Sequence, residues 1–200
     1  MSHNNEEILA PPPFDHFGVL APIYERFVRP PDVGRLRRLC DVRPGQRLLD
    51  VGGGTGRIAQ AFRGAAGSVC VLDVSARMLR EAQDKGGLCA GQGLVERLPF
   101  RDGAFARIIA VDSFHHFRHH ALAARELARV LAPGGRLVIE EPDIRHFAVK
   151  LIALGETLTL MRSRFRRPAT VMAYLTSAGL RPSLHEAKGV YWVVGEKDLG

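Results

Sequence analysis

The chain has 200 residues, 46% hydrophobic and 24% charged, with a net charge of +7. These fractions are ordinary for one soluble globular domain with a substantial core. No apolar run reaches the ~18 residues that a membrane-spanning helix needs. The polar, acidic start from Met1 to Glu7 argues against a secretory signal. Three cysteines, Cys40, Cys70 and Cys89, have no C-x-x-C spacing and read as reduced thiols of a cytoplasmic protein. The positive charge fits nucleic acid, an anionic lipid surface touched peripherally, an acidic small molecule, or solubility alone.

Residues 1–13 end in Ala10-Pro11-Pro12-Pro13 and are expected to form a loose arm. Phe17, Leu20, Tyr24 and Phe27 then recur at helical spacing, giving an amphipathic helix with an aromatic stripe. Asp32 can cap a helix that carries Val33, Leu36, Leu39 and Cys40. Pro44-Gly45 turns the chain into a short apolar run, Leu48-Leu49-Asp50-Val51, long enough for a buried strand.

Gly52-Gly53-Gly54-Thr55-Gly56 follows, and Ile58, Ala59 and Phe62 beyond it fall at helical spacing. A strand, a glycine turn and a helix start would point free backbone N–H groups at a ligand. The pattern D-x-G-x-G-x-G is not the dinucleotide fingerprint, because Arg57 stands where a small residue is needed. It is not a Walker loop, since no Gly-Lys-Ser/Thr follows. Asp50 at the strand tip would repel a pyrophosphate and favour an ammonium group. S-adenosylmethionine (SAM) carries such a group and no phosphate. The segment resembles the glycine motif of the class I SAM-dependent methyltransferases, and the block from Phe14 to Val28 resembles the helix that precedes the core in their ubiquinone/menaquinone-type members. That resemblance implies that the helix partly covers the site and that Tyr24 is a candidate catalytic residue. A core aromatic is the alternative.

Ser68 to Asp73 is the second strand. Asp73 lies 21 residues beyond Gly52, near the separation at which an acid reaches a ribose diol. The alternative, an N-cap, can be filled by Ser75. Met78, Leu79 and Ala82 form the apolar face of the next helix, and Met78 is a candidate adenine contact. Leu88-Cys89-Ala90 is a third strand. Gly93-Leu94-Val95-Glu96-Arg97-Leu98-Pro99-Phe100 resembles the family's G-D-A-E-x-L-P-F, with Leu94 in place of the aspartate that binds the adenine amino group. The base would then be held by stacking and by the backbone of Leu94 and Val95.

Ala106 to Val111 is the fourth strand. Asp112 and Ser113 stand beyond its carboxyl end, where ligands of open α/β sheets gather. His115 and His116 are candidate general bases, His116 the stronger. His119 and His120 read as a solvated helix start. No metal is expected, because the four histidines lack cysteines or an H-E-x-x-H pattern. A helix from Ala121 to Leu131, a stop at Ala132-Pro133-Gly134-Gly135 and a strand from Arg136 to Pro142 match the family. Helices follow over about Ile144 to Met161 and Ala169 to Ala178, with Arg162 to Arg167 between them. Two strands, Leu180 to Glu186 and Val190 to Val194, close the chain.

The resemblance implies a Rossmann-like α/β fold, a seven-stranded and mostly parallel sheet with an antiparallel last strand and helices on both faces. One domain is expected over 14–200, with a SAM-binding core at about 46–141 and an acceptor-lid insert at about 143–179. It implies SAM as cofactor, held by Asp50, Gly52, Gly53, Gly54, Thr55, Gly56, Asp73, Val74, Met78, Leu94, Val95, Asp112 and Ser113. The acceptor is a small quinone-like or phenolic molecule, methylated at carbon or oxygen. An RNA acceptor, favoured by charge, lacks an N-P-P-Y-type motif after strand four. A non-catalytic SAM-binding regulator is the reading that Leu94 favours.

Overall fold

In the computed structural model, residues 32–145 and 164–200 are described. The arm, the aromatic helix with Tyr24 and most of the helix expected from Ile144 to Met161 lie outside them. Seven strands make one sheet: β1 Arg47–Val51, β2 Ser68–Asp73, β3 Cys89–Gln92, β4 Phe105–Val111, β5 Leu131–Pro142, β6 Arg181–Ala187 and β7 Val190–Glu196. Their order is β3-β2-β1-β4-β5-β7-β6. The first five run parallel, and β7 runs antiparallel to both of its neighbours. The order reverses at β1, so its carboxyl end opens a crevice with those of β2 and β4.

Side chains alternate between the two faces of a strand, so a doubly covered sheet reads as continuous apolar runs. Leu49, Leu72, Ile108, Leu137 and Val193 belong to one buried cluster, while Leu48, Val71, Ile109, Val138 and Val194 belong to the other. The first face is covered by α3 (His120–Val130) and α4 (Pro168–Ser177), through Leu127, Val171 and Leu175. The second is covered by α1 (Val33–Cys40) and α2 (Ala76–Asp84), through Leu36 and Leu79.

The helix starts follow from the expected caps. Asp32 accepts from the Arg35 amide at 2.8 Å, and Ser75 Oγ accepts from the Met78 amide at 3.3 Å. The helix expected after the glycine loop is a single 3₁₀ turn, Ala59–Phe62. Arg63, extended at φ −60° and ψ 135°, ends it, and Gly64, at φ +78°, turns the chain back toward β2. Gly67 closes that return by donating to the Gln46 carbonyl at 2.8 Å, so close to Gly45 that a Cβ would meet its backbone at 2.7 Å. The third strand begins one residue later than expected, at Cys89, and runs on to Gln92. The turn at Ala132–Gly135 lies within β5, where the pairing with β4 shifts register.

Near the carboxyl end of β5, Glu140 is 7% exposed and accepts from Trp192 Nε1 at 2.7 Å. Arg35 covers the indole at 4.1 Å. Burial pushes the Glu140 carboxyl up to about 7, and the indole hydrogen bond opposes that rise. A raised folded-state value means that its stabilisation is complete below the unfolded carboxyl's range and is lost as pH rises through 7. Trp192→Phe removes the donor and is expected to cost ~1–3 kcal/mol at pH 8, and less at pH 5 where the carboxyl is protonated. Urea unfolding at both pH values measures it, and a loss below about 0.5 kcal/mol at pH 8 contradicts the assignment.

Candidate nucleoside site at the carboxyl ends of the strands

The loop after β1 is shaped by its own packing. Gly52, Gly54 and Gly56 have φ of +68°, +53° and +73°, where L side chains are strained. A Cβ on Gly52 would meet Ser113 Cβ at 2.7 Å, and one on Gly53 would meet Asp50 Cγ at 2.6 Å. Gly52 and Gly53 both point their N–H groups at the Leu72 carbonyl, at 2.7 and 3.3 Å. Thr55 is buried, and its carbonyl accepts from Lys85 Nζ at 2.8 Å.

Asp73 ties the loop to the second strand. Its Oδ2 accepts from the Gly54 amide and its Oδ1 from the Ser75 amide, both at 2.9 Å. Ser75 therefore caps α2, while Asp73 spans from the loop to the start of that helix. Asp50 pairs in register with Val71, two residues before Asp73, so strand alternation puts both acids on one face. Asp50 is 1% exposed, and its Oδ2 is buried without a hydrogen-bond partner. Burial, and then the charge of Asp73, push its carboxyl up to about 7. Asp50 thus lies beneath Gly53 rather than open to the crevice.

The remaining expected contacts ring this pair. Val74 is half-buried, with its carbonyl accepting from Gln92 Nε2 at 2.9 Å. Met78 brings its sulfur to 3.1 Å from where a Gly54 Cβ would stand. Leu94, half-buried and extended, precedes the 3₁₀ turn Val95–Arg97, of which Val95 is buried. Glu96, matched by sequence but given no role there, accepts from the Arg118 and His119 amides at 2.9 and 3.1 Å. It fixes the entry to α3.

Beyond β4, Asp112 takes a left-handed φ of +51° and donates its amide to the Glu140 carbonyl at 2.9 Å. Ser113 Oγ donates to the Val51 carbonyl at 2.9 Å, bracing the glycine loop from below. His115 is 1% exposed, and its Nδ1 lies 2.7 Å from Glu141 Oε2, while Glu141 Oε1 accepts from the Phe114 amide at 2.8 Å. Glu141 was not singled out from sequence. Its signal was a carboxylate at the end of a strand otherwise buried on both faces. His116 is half-buried beside it, with ring centroids 3.9 Å apart. Burial, followed by the neighbouring His115, holds its imidazole well below the usual histidine range. His120 is not solvated as expected. It is 3% exposed, stacks on Tyr174 and lies against Phe114, because it opens α3 on the face that packs beneath α4. Arg164 donates its amide to the His115 carbonyl at 2.8 Å, and Phe165 stacks on the His115 ring at 4.3 Å.

The cradle is acidic, and Lys85, the base beside Thr55, already donates to a carbonyl. Asp73 at the loop mouth suits hydroxyl donors, and the second acid, Asp50, buried beneath Gly53, disfavours a phosphate there. These residues fit SAM.

The family described as "Methyltransferase domain" matches residues 49–139. The ubiquinone/menaquinone biosynthesis C-methyltransferase of Bordetella avium is 38% identical over 110 residues, which are 51% of this chain and 43% of that protein. The match thus spans less than half of that relative's length. A SAM-dependent methyltransferase from Thermotoga maritima superposes with a TM-score of 0.75 at 21% identity, covering 92% of this chain and 98% of that one. The YcgJ protein of Bacillus subtilis gives 0.74 at 20% identity, covering 84% and 98%. The sequence similarity to that family is confined to residues 49–139, and the solved structures share the fold. The core sequence is similar to that of the ubiquinone/menaquinone C-methyltransferases.

Gly53 tests how tightly the loop is built. Gly53→Ala puts a Cβ within 2.7 Å of the Asp50 carboxylate and 3.0 Å of Val71. A loss of ~1–3 kcal/mol in thermal or urea unfolding is expected. A neutral substitution contradicts the packing described.

Proposed function

We propose that the protein transfers a methyl group from SAM to a small quinone-like or phenolic acceptor, at carbon or oxygen. The observation that carries this reading is the Asp73 carboxylate, set against the Gly54 amide at the mouth of a glycine loop of methyltransferase type. When bound, SAM supplies an electrophilic methyl group on a sulfonium. The chain's own residues then have three tasks. Asp73 is assigned to the ribose hydroxyls. Gly52, Gly54, Thr55, Gly56 and Asp112 are assigned to the amino-acid end, with Asp50 beneath them and Ser113 as a brace. Val74, Met78, Leu94 and Val95 are assigned to the base.

Aligning donor and acceptor and excluding water can contribute up to ~7–11 kcal/mol without any protein nucleophile. His116 is assigned to the acceptor's acidic proton. Its depressed titration keeps the ring neutral, and so able to accept a proton, at pH 7. Tyr24 is the second candidate on the acceptor side. The insert at about 143–179 is assigned to covering the acceptor, supported by Arg164 and Phe165 lying against His115. Among the described residues no helix is long and apolar enough to cross a membrane. The free cysteines support a cytoplasmic setting.

The direct test is a labelled-methyl assay with SAM over quinol, phenol and RNA acceptors. Incorporation into a quinol or phenol is expected. Incorporation into RNA alone, or SAM binding with no transfer to any acceptor, contradicts the reading.

Two substitutions test the cofactor side by calorimetry. Asp73→Asn is expected to weaken SAM binding by ~1–3 kcal/mol, and unchanged affinity refutes the ribose assignment. Because Asp73 also accepts two amides, this titration belongs well below the variant's unfolding temperature. Leu94→Asp restores the acid that the family carries and is expected to tighten binding by ~1 kcal/mol. No gain places the adenine elsewhere.

A further inference from the structure

Cys70 and Cys89 are direct partners in the parallel pairing of β2 with β3. Neighbouring strands stand about 4.8 Å apart. That spacing falls within the roughly 4.4–6.8 Å between Cα atoms that a disulfide needs. Residues in register point to the same face of the sheet. The register therefore sets the two thiols side by side across the β2–β3 seam. Their surroundings differ. Cys89 is exposed, at the first residue of a four-residue edge strand, whereas Cys70 is 5% exposed inside the sheet. Just upstream of Cys89, Gly86 and Gly87 both take positive φ, a backbone that can absorb the small inward shift a covalent bond requires.

We propose that Cys70 and Cys89 form a reversible disulfide, with Cys89 as the attacking thiol and Cys70 as the resolving one, when the protein meets a low-molecular-weight disulfide. The Cys89 thiolate attacks one sulfur of the oxidant, forming a mixed disulfide and releasing one small thiol. Cys70 then loses its proton and attacks the Cys89 sulfur, closing the protein disulfide and releasing the second small thiol. Two protein thiols are oxidised by two electrons, and one small disulfide is reduced to two thiols. Burial, and then the neighbouring Cys89, push the Cys70 thiol up to about 11, so closure is the slower step. The bond fastens edge strand β3, otherwise held on one side only, to β2, whose far end carries Asp73. This inference does not depend on the methyl-transfer reading.

The full-length protein is incubated with oxidised glutathione, its remaining thiols are alkylated, and peptides are mapped by mass spectrometry. The expected product is a linked peptide pair joining Cys70 to Cys89, with Cys40 alkylated normally after unfolding, and dithiothreitol reverses it. Cys70→Ser is expected to stop at a glutathione adduct on Cys89, and Cys89→Ser to give neither product. A wild-type protein that keeps a stable adduct on Cys89, that does not react, or that pairs either thiol with Cys40 overturns the proposal. The wild-type map decides this even if a variant folds poorly.

Discussion

One carboxylate holds the site together. Asp73 ends β2 and accepts the Gly54 amide with one oxygen and the Ser75 amide with the other. It thereby locks the loop after β1 to the start of α2 before any ligand arrives. A buried acid that takes two N–H groups is satisfied in the protein alone, and a carboxylate can accept further donors on its remaining lone pairs. The ribose role proposed for Asp73 therefore calls for no reordering of the loop when a ligand binds.

Asp50 works differently. It lies below Gly53, buried, with one oxygen unanswered, and its charge is opposed by burial and by Asp73. Such a group costs the free protein stability, and this stability rises when the acid is protonated. The glycines make the arrangement sterically possible. Gly53 leaves room for the Asp50 carboxylate, and Gly52 leaves room for Ser113, which hydrogen-bonds the Val51 carbonyl. The motif thus serves internal packing as much as access for a ligand.

Much of this was legible from the chain. The apolar runs of β1, β2, β4 and β7 are buried on both faces, which makes them stand out from their polar turns. Asp32 and Ser75 announced their helices because a cap is a local interaction. Other features depend on long-range contacts and were not legible. The residues from Ile58 to Phe62 have helical spacing, yet the extended Arg63 and the nearby return to β2 leave only one 3₁₀ turn. His120 looked like one of four polar residues, but α4 lies over it and Tyr174 stacks on its ring. Glu141 and Glu96 take their roles from amides 27 and 22 residues away, which no local pattern records. The cross-strand meeting of Cys70 with Cys89 follows from the register of β2 and β3, which spacing along the chain does not reveal.

The account depends on the glycine loop and the end of β2 acting as one preformed nucleoside cradle. Amide NMR during a titration with S-adenosylhomocysteine tests this most directly. The account predicts that the largest shifts fall on Gly52, Gly54, Asp73 and Leu94, with the Gly54 amide already protected from exchange in the free protein. Shifts concentrated elsewhere, or a Gly54 amide that exchanges freely until the ligand is added, would contradict it.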